Sequence, residues 1–290
     1  MDFLQFFKMS ACGNDFIVID NRDGSMDARF PDMDSFVEKV CERRHSVGAD
    51  GLILIEKSKT VDFAWRFYNA DGSVAEMCGN GGRCAARFAY IKGIARDHMA
   101  FDTLAGTMKA EVLSDGRVKL QLTQPTALKL DYAIRLEGEE LFLSSVDTGV
   151  PHAIILTDDI DRAPVETLGR PVRYHKSFPK GTNVDFVEIV DRNNVRIRTY
   201  ERGVEGETYA CGTGAVAAGV VLKAKGFTGD VVNIQTKGGE IVRVYVTDDV
   251  YLEGSARVIY EGALWPEALQ YATGNGPTVE TGKACPKPSA

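Results

Sequence analysis

The sequence predicts an α/β protein of two pseudo-symmetric domains from an internal duplication, each a mixed, barrel-like β-sheet around a central helix. Three observations predict it: paired motifs at a nearly constant offset, short β-rich segments recurring in both halves, and one unusually apolar helix in each half. At roughly 150 residues per domain, 290 residues leave room for two.

The repeat comes first. Cys78-Gly79-Asn80-Gly81-Gly82 returns as Cys211-Gly212-Thr213-Gly214-Ala215 at an offset of 133. Arg66-Phe67-Tyr68-Asn69 returns as Arg198-Thr199-Tyr200-Glu201 at an offset of 132. Gly48-Ala49-Asp50 matches Gly181-Thr182-Asn183, and Thr103-Leu104-Ala105-Gly106 matches Thr236-Lys237-Gly238-Gly239, both at 133. Gly13-Asn14-Asp15 matches Gly149-Val150-Pro151 at 136. Glycine-rich turns recur in any α/β protein, but that does not explain one offset shared by a cysteine, a tyrosine and a threonine. The repeat divides the chain into 1–122 and 123–262, joined near Thr123-Gln124-Pro125, with 263–273 returning to the first half. Residues 274–290, rich in Gly, Pro, Thr and Lys, read as a loose tail.

The elements follow in order. Phe16–Asp20, Gly51–Glu56, Phe63–Tyr68, Lys109–Val112 and Arg117–Leu122 are short, β-rich and bounded by turn residues. Ala153–Leu156, Val184–Ile189, Val195–Tyr200, Ile241–Val246 and Val250–Leu252 repeat them. Two helices, Gly82–Lys92 and Ala215–Lys223, are apolar nearly all round. A helix without a polar face is buried, and its alanines let a curved sheet wrap it closely.

Composition narrows the function classes. Apolar residues make up 44% and charged ones 26%, which fits a globular protein and excludes disorder, collagen and coiled coil. No apolar run approaches the ~18 residues of a membrane span. The N-terminus lacks a basic n-region and a long apolar segment, so no signal peptide is expected. A net charge of −7 without a Lys/Arg run argues against nucleic acid and membrane partners. Six cysteines are too sparse for a disulfide scaffold. A cytoplasmic, reduced enzyme is the expectation, and a homodimer stays open.

The chemistry lies where the two apolar helices begin. A helix N-terminus exposes unpaired N–H groups and carries about half a positive charge. Flanking glycines let an anion approach, and a cysteine there is expected to have its thiolate favoured. Two such ends facing one cleft would hold a carboxylate between them with a sulfur on each face of its α-carbon. Inverting a stereocentre by proton transfer needs that arrangement, a base on one face and an acid on the other, with N–H groups stabilising the developing charge. Cys78 and Cys211 are therefore the candidate pair. Cys12, Cys41 and Cys84 read as core residues, and Cys285 lies in the tail. No Cys-x-x-Cys pair exists for zinc or redox chemistry, the four histidines are scattered, and no Walker loop follows Gly79.

These residues carry a family resemblance. Ala11-Cys12-Gly13-Asn14-Asp15-Phe16, Met77-Cys78-Gly79-Asn80-Gly81-Gly82-Arg83 and Glu201-Arg202-Gly203 before Ala210-Cys211-Gly212-Thr213-Gly214 resemble diaminopimelate epimerases from about residue 6 to 264. The resemblance implies two mirror-like α/β domains and conversion of LL-2,6-diaminopimelate to the meso form without pyridoxal phosphate, metal or other cofactor. The product would feed lysine and peptidoglycan synthesis. Cys78 and Cys211 would be the acid/base pair, and Gly79-Asn80 and Gly212-Thr213 the backbone donors to the reacting carboxylate. Asn14, Asn69 and Asn183 would contact substrate, although turn duty explains the same asparagines. Glu201 and Arg202 would clamp the substrate's charged groups, as a doubly zwitterionic ligand requires. His152 and Glu201 would each sit beside one sulfur. Val150 stands where many members have asparagine, which removes one side-chain contact at the distal substrate end. Proline racemases also resemble this fold but commonly carry histidine after Cys-Gly, where this chain has Asn80. A non-catalytic amino-acid or redox-sensing binder would need only one anion site.

Overall fold

The computed structural model describes residues 3–270. In the first half, β1 (Leu4–Ala11) turns through Cys12 and Gly13, both at positive φ, into antiparallel β2 (Asn14–Asp20). Helices α1 (Ser25–Arg29) and α2 (Met33–Cys41) cross over to β3 (Gly51–Glu56), parallel to β2. Antiparallel β4 (Phe63–Asn69) follows, then β5 (Val74–Ala75) and the central helix α3 (Gly79–Ile91). The chain re-enters as β6 (His98–Thr103), parallel to β4, and ends in the meander β7 (Gly106–Val112) and β8 (Val118–Gln121).

The second half repeats this connection by connection. Its hairpin β9 (Thr126–Leu136) and β10 (Glu139–Asp147) leads to β11 (Pro151–Leu156). After α4 (Val165–Arg173) come β12 (Asn183–Ile189), parallel to β11, and antiparallel β13 (Asn194–Glu201). Next are β14 (Gly206–Thr208), the central helix α5 (Gly212–Ala224), and β15 (Val231–Gln235), parallel to β13. The half ends in β16 (Ile241–Val246) and β17 (Val250–Gly254). The duplicated architecture read from the sequence is the one observed.

Closure of the first half differs in detail from the expectation. Strand β18 (Arg257–Leu264) lies antiparallel on β1, from Leu4↔Leu264 to Ser10↔Arg257. The return to the first half therefore begins at Arg257, where the break at Ser255-Ala256 ends β17, and not at 263. β18 stands to β1 as β9 stands to β10. The halves are stitched by β8 pairing with β17, from Tyr251↔Gln121 to Gly254↔Val118. The tail expected at 274–290 lies outside the described residues.

Each central helix is enclosed by its sheet. Residues 84, 85, 86, 88 and 89 of α3 and Gly214–Leu222 of α5 are buried in one continuous apolar core. Small residues set the approach: a Cβ on Gly82 would meet Leu120 of β8 at 2.8 Å, and one on Gly219 would meet Val244 of β16 at 2.9 Å. Separate clusters fill the outer faces, one under α1 and α2 around Phe36, Leu52 and Leu54, the other under α4 around Val172, Phe186 and Tyr200. The surface helices thus hold each sheet from outside, which leaves α3 and α5 to present their N-termini at the junction.

Candidate active site

Both cysteines sit where the sequence placed them, as the residues that cap α3 and α5. Each has extended backbone, with φ −145° at Cys78 and −121° at Cys211. The Cys78 Sγ accepts from the Gly81 N–H at 3.4 Å. The two helix ends meet over one leucine: Cβ atoms on Gly79 and Gly212 would fall 3.8 and 3.2 Å from the Leu252 side chain. A cavity of about 310 Å³ opens there. Its walls bring together Asn14, Asn69, Cys78, Gly79, Asn80, Glu201, Cys211, Gly212 and Thr213, together with Val150.

Neither thiol has the depressed pKa expected of a helix N-terminus. Cys78 retains some surface, but the protein crowding it pushes the thiol up, against the opposing hydrogen bonds from Gly81 and Asn80 and the field of Arg83. Burial pushes Cys211 well up, and the carboxylates of Glu201 and Asp185 push in the same direction, against the opposing hydrogen bonds of Thr213 and Gly214. Desolvation outweighs the helix end, as it does when a charged form is taken far from water. Glu201 is itself raised by burial. It lines the cavity with both cysteines, and its charge pushes both thiols up.

The polar residues form two networks. On the first-half side, Asn80 Nδ2 donates to Asn14 Oδ1 at 2.7 Å, and Asn14 Nδ2 donates to Asp50 Oδ2 at 3.0 Å. Arg83, wholly buried, donates to Asn80 Oδ1 at 2.7 Å, to the Cys12 sulfur at 3.2 Å and to the Gly79 and Ser255 carbonyls. Arg43 and Lys8 complete this side through Asp15 and Asp50. Asn69 Nδ2 donates to Ser73 Oγ at 3.0 Å.

On the second-half side, His152 is wholly buried between Asp185 Oδ2, 2.7 Å from Nδ1, and Thr213 Oγ1, 3.0 Å from Nε2. Thr213 Oγ1 in turn lies 3.4 Å from the Cys211 sulfur. His152 therefore reaches Cys211 through a hydroxyl. Asn183 and Arg202 stay outside the cavity wall: Asn183 Oδ1 accepts from the Arg202 N–H at 2.8 Å, and the Arg202 guanidinium donates to the Lys180 carbonyl.

Sequence reasoning did not single out Asp185, Thr199 or Asp50. Asp185 had a signal, a carboxylate inside the apolar run Val184-Asp185-Phe186-Val187. Among the described residues no three His, Cys, Asp or Glu side chains converge as a metal centre.

Comparison with known proteins follows the same lines. The family model for diaminopimelate epimerase matches residues 6–128 and 144–259. A diaminopimelate epimerase from Aquifex aeolicus is 46% identical over 92% of this chain and 100% of its own length. One from Hydrogenobaculum sp. is 47% identical over 89% of this chain and 97% of its own. The fold is shared more widely. A phenazine biosynthesis protein of the PhzF family from Bacillus anthracis superposes with a TM-score of 0.69 at 16% identity, over 91% of this chain and 100% of its own. A hydroxyproline epimerase from Agrobacterium vitis gives 0.65 at 18%, over 94% and 96%. Sequence, fold and paired helix ends agree, and the chain belongs to the diaminopimelate epimerase family.

Proposed function

We propose that this chain interconverts LL- and meso-2,6-diaminopimelate by moving a proton between Cys78, the substrate α-carbon and Cys211, with no cofactor. The observation that carries this is the pair of cysteines capping two helices that open into one cavity. The N–H groups at Gly79-Asn80 and Gly212-Thr213 would take the reacting carboxylate between two positive helix ends. One thiolate removes the α-proton, the other thiol returns one to the opposite face, and the two exchange roles at each turnover. Carboxylate charge growing as the proton leaves is met by donors already in place.

Asn14, Asn69 and Glu201 line the cavity; the asparagines would orient the substrate, and Glu201 would accept from its ammonium group. We assign Arg202 and Asn183 to the distal end, where Arg202 would exchange its bond to the Lys180 carbonyl for one to a carboxylate. The reaction makes a small biosynthetic amino acid for lysine and peptidoglycan, and we place it in the cytoplasm. No helix among the described residues is long and apolar enough to cross a membrane. A homodimer is compatible with this reading.

Proton NMR of the protein with LL-diaminopimelate in deuterated water is the test. Deuterium should enter at one α-carbon as the meso form appears, and exhaustive EDTA dialysis or borohydride treatment should leave the rate unchanged. Exchange into proline without exchange into diaminopimelate would assign the site to a racemase instead.

A further inference from the structure

The pseudo-symmetry of the two halves fails at one place that bears on the chemistry. By sheet register, Phe16 against Gly51, Val18 against Ile53, and Ile53 against Phe67 correspond to His152 against Asn183, Ile154 against Asp185, and Asp185 against Thr199. The helix contacts confirm the match. A Cβ on Gly81 would touch Ile53 at 3.4 Å, and one on Gly214 would meet Asp185 Oδ1 at 2.4 Å. Behind Cys78 lie Phe16, Ile53 and Phe67; behind Cys211 lie His152, Asp185 and Thr199, all buried.

Building on the two-cysteine reading above, we propose that Asp185 is a positioning residue: through His152 and Thr213 it fixes a one-way hydrogen-bond chain that ends on Cys211. In the resting enzyme this chain holds Cys211 as the proton donor and leaves Cys78 as the base.

The direction of the chain follows from its fixed members. The Arg202 N–H donates to Asn183 Oδ1, which sets the amide so that Nδ2 donates one hydrogen to the Pro151 carbonyl at 3.3 Å and turns the other toward His152 Nε2 at 3.4 Å. A donor there requires Nε2 to be without a proton, so the imidazole carries its hydrogen on Nδ1. Nδ1–H then donates to Asp185 Oδ2, whose other oxygen accepts from Thr199 Oγ1 at 2.7 Å. The one lone pair of Nε2 is shared, and its nearer donor is the Thr213 hydroxyl at 3.0 Å, which spends its single hydrogen on His152. Its oxygen can only accept from Cys211, so the contact at 3.4 Å is S–H to O. Cys78 differs in lacking such a hydroxyl, not in its backbone donor, since Gly214 favours the Cys211 thiolate as Gly81 favours that of Cys78. Its sulfur accepts from the Gly81 N–H, and its neighbour Asn80, which stands where Thr213 stands, is engaged by Asn14 and Arg83. Asp185 adds negative charge at Cys211 and Arg83 adds positive charge at Cys78, while Glu201 acts on both.

Two measurements that need no turnover test this. Nitrogen-15 NMR of histidine-labelled protein, with the His152 signal identified by its loss in His152→Gln, should show the Nδ1–H tautomer. The Nε2–H tautomer would overturn the proposal. The second is the iodoacetamide rate at Cys211, followed by peptide mapping at one mildly alkaline pH. Thr213→Val removes the acceptor of the S–H and should raise that rate about threefold, while Thr213→Ser keeps the wild-type rate. A slower rate in Thr213→Val would mean the hydroxyl donates to a thiolate, which reverses the chain. Asp185→Asn should also quicken alkylation of Cys211, and an unchanged rate in a variant with a native circular dichroism spectrum would remove Asp185 from the role. If Asp185→Asn does not fold, the tautomer and the threonine variants still decide. Because both readouts are taken without substrate, their failure is separate from failure of deuterium exchange.

Discussion

Phe16 and His152 hold matching places in the two halves, Phe16 opposite Gly51 across β2 and β3, His152 opposite Asn183 across β11 and β12. The duplication therefore supplies two equivalent helix ends and two cysteines, while the residues behind them have diverged from apolar to polar. Equivalent geometry with unequal surroundings is what a two-base reaction can use, since one group must start protonated and the other not.

The cysteines come first. Cys78→Ala and Cys211→Ala should each remove nearly all epimerisation with the fold intact, and the double variant should be little worse than either, because the pair acts as a unit. Each should cost more than ~1.4 kcal/mol of barrier, a factor of ten. Retention of a tenth or more of wild-type kcat/KM in either variant would break the pairing.

The paired glycines at the third helix position should respond differently. A Cβ at Gly81 meets Ile53 and Trp65 at 3.4 and 3.5 Å, ordinary contact, and alanine is the better helix former by up to ~1 kcal/mol. A Cβ at Gly214 would fall 2.4 Å from the buried Asp185 carboxylate, which is held by His152 and Thr199. Gly81→Ala should be neutral or stabilising in urea unfolding. Gly214→Ala should lose about 1–3 kcal/mol and most activity. Equal effects at the two sites would mean that the Asp185 cluster is not rigid.

Much of this was legible in the sequence, and the remainder has physical reasons. β3 and β16 match the expected segments to the residue, because both are short apolar runs between turn residues. Eight of the strands described were not expected. β18 is exposed along most of its length and takes its partner from the other end of the chain, so no local pattern announces it. β9 alternates Leu128, Leu130, Tyr132 and Ile134, yet only Ile134 is fully buried. The cysteines and glycines of the site were readable because their chemistry is local to a helix end. The raised thiols were not, because desolvation depends on tertiary packing that sequence spacing does not carry.

Those raised thiols set the pH dependence. The base is a thiolate, and burial pushes both cysteines above the ordinary 9.0. The ionised fraction therefore keeps growing as pH rises, so kcat/KM should climb by roughly tenfold per pH unit from neutrality toward 9. Glu201, also raised by burial, must be ionised to accept from the ammonium group and steepens the acid side. A plateau reached below pH 7 would show that the thiols ionise early and that the helix ends outweigh burial.

Arg83 is wholly buried and joins α3 to the Cys12 turn and to Ser255 just before β18. Its place in the second half is taken by Val216, so the guanidinium is particular to the Cys78 side. Arg83→Met leaves the Asn80 oxygen and the Gly79 carbonyl without this donor, and should cost about 2–4 kcal/mol in urea unfolding. KM should rise as Asn80 and Asn14 lose their orientation. Lysine should not restore it, because a point charge cannot serve donors in several directions at once. A full rescue by Arg83→Lys would reduce the role to charge alone.

Oxidation should join the Cys78 and Cys211 sulfurs. Both line one cavity of about 310 Å³, and a mechanism that places one on each face of a single carbon brings them close when no carbon lies between them. A disulfide needs Cα atoms within about 7 Å, and closure about the joint near Thr123-Gln124-Pro125 would supply any remaining distance. These two thiols are raised as well, and what opens them to oxidation is the cavity they share. Cys12, Cys41 and Cys84 are held back by burial, which pushes Cys12 up to about 11 and Cys41 to about 12, and Cys84 further still. Activity should therefore fall in air, return with a reducing agent, and be protected by substrate. Peptide maps of the inactive protein should show Cys78 joined to Cys211 with Cys41 and Cys84 still reduced. Inactivation that leaves Cys78 and Cys211 free, or that substrate does not slow, would show that the two sulfurs do not flank a common substrate carbon.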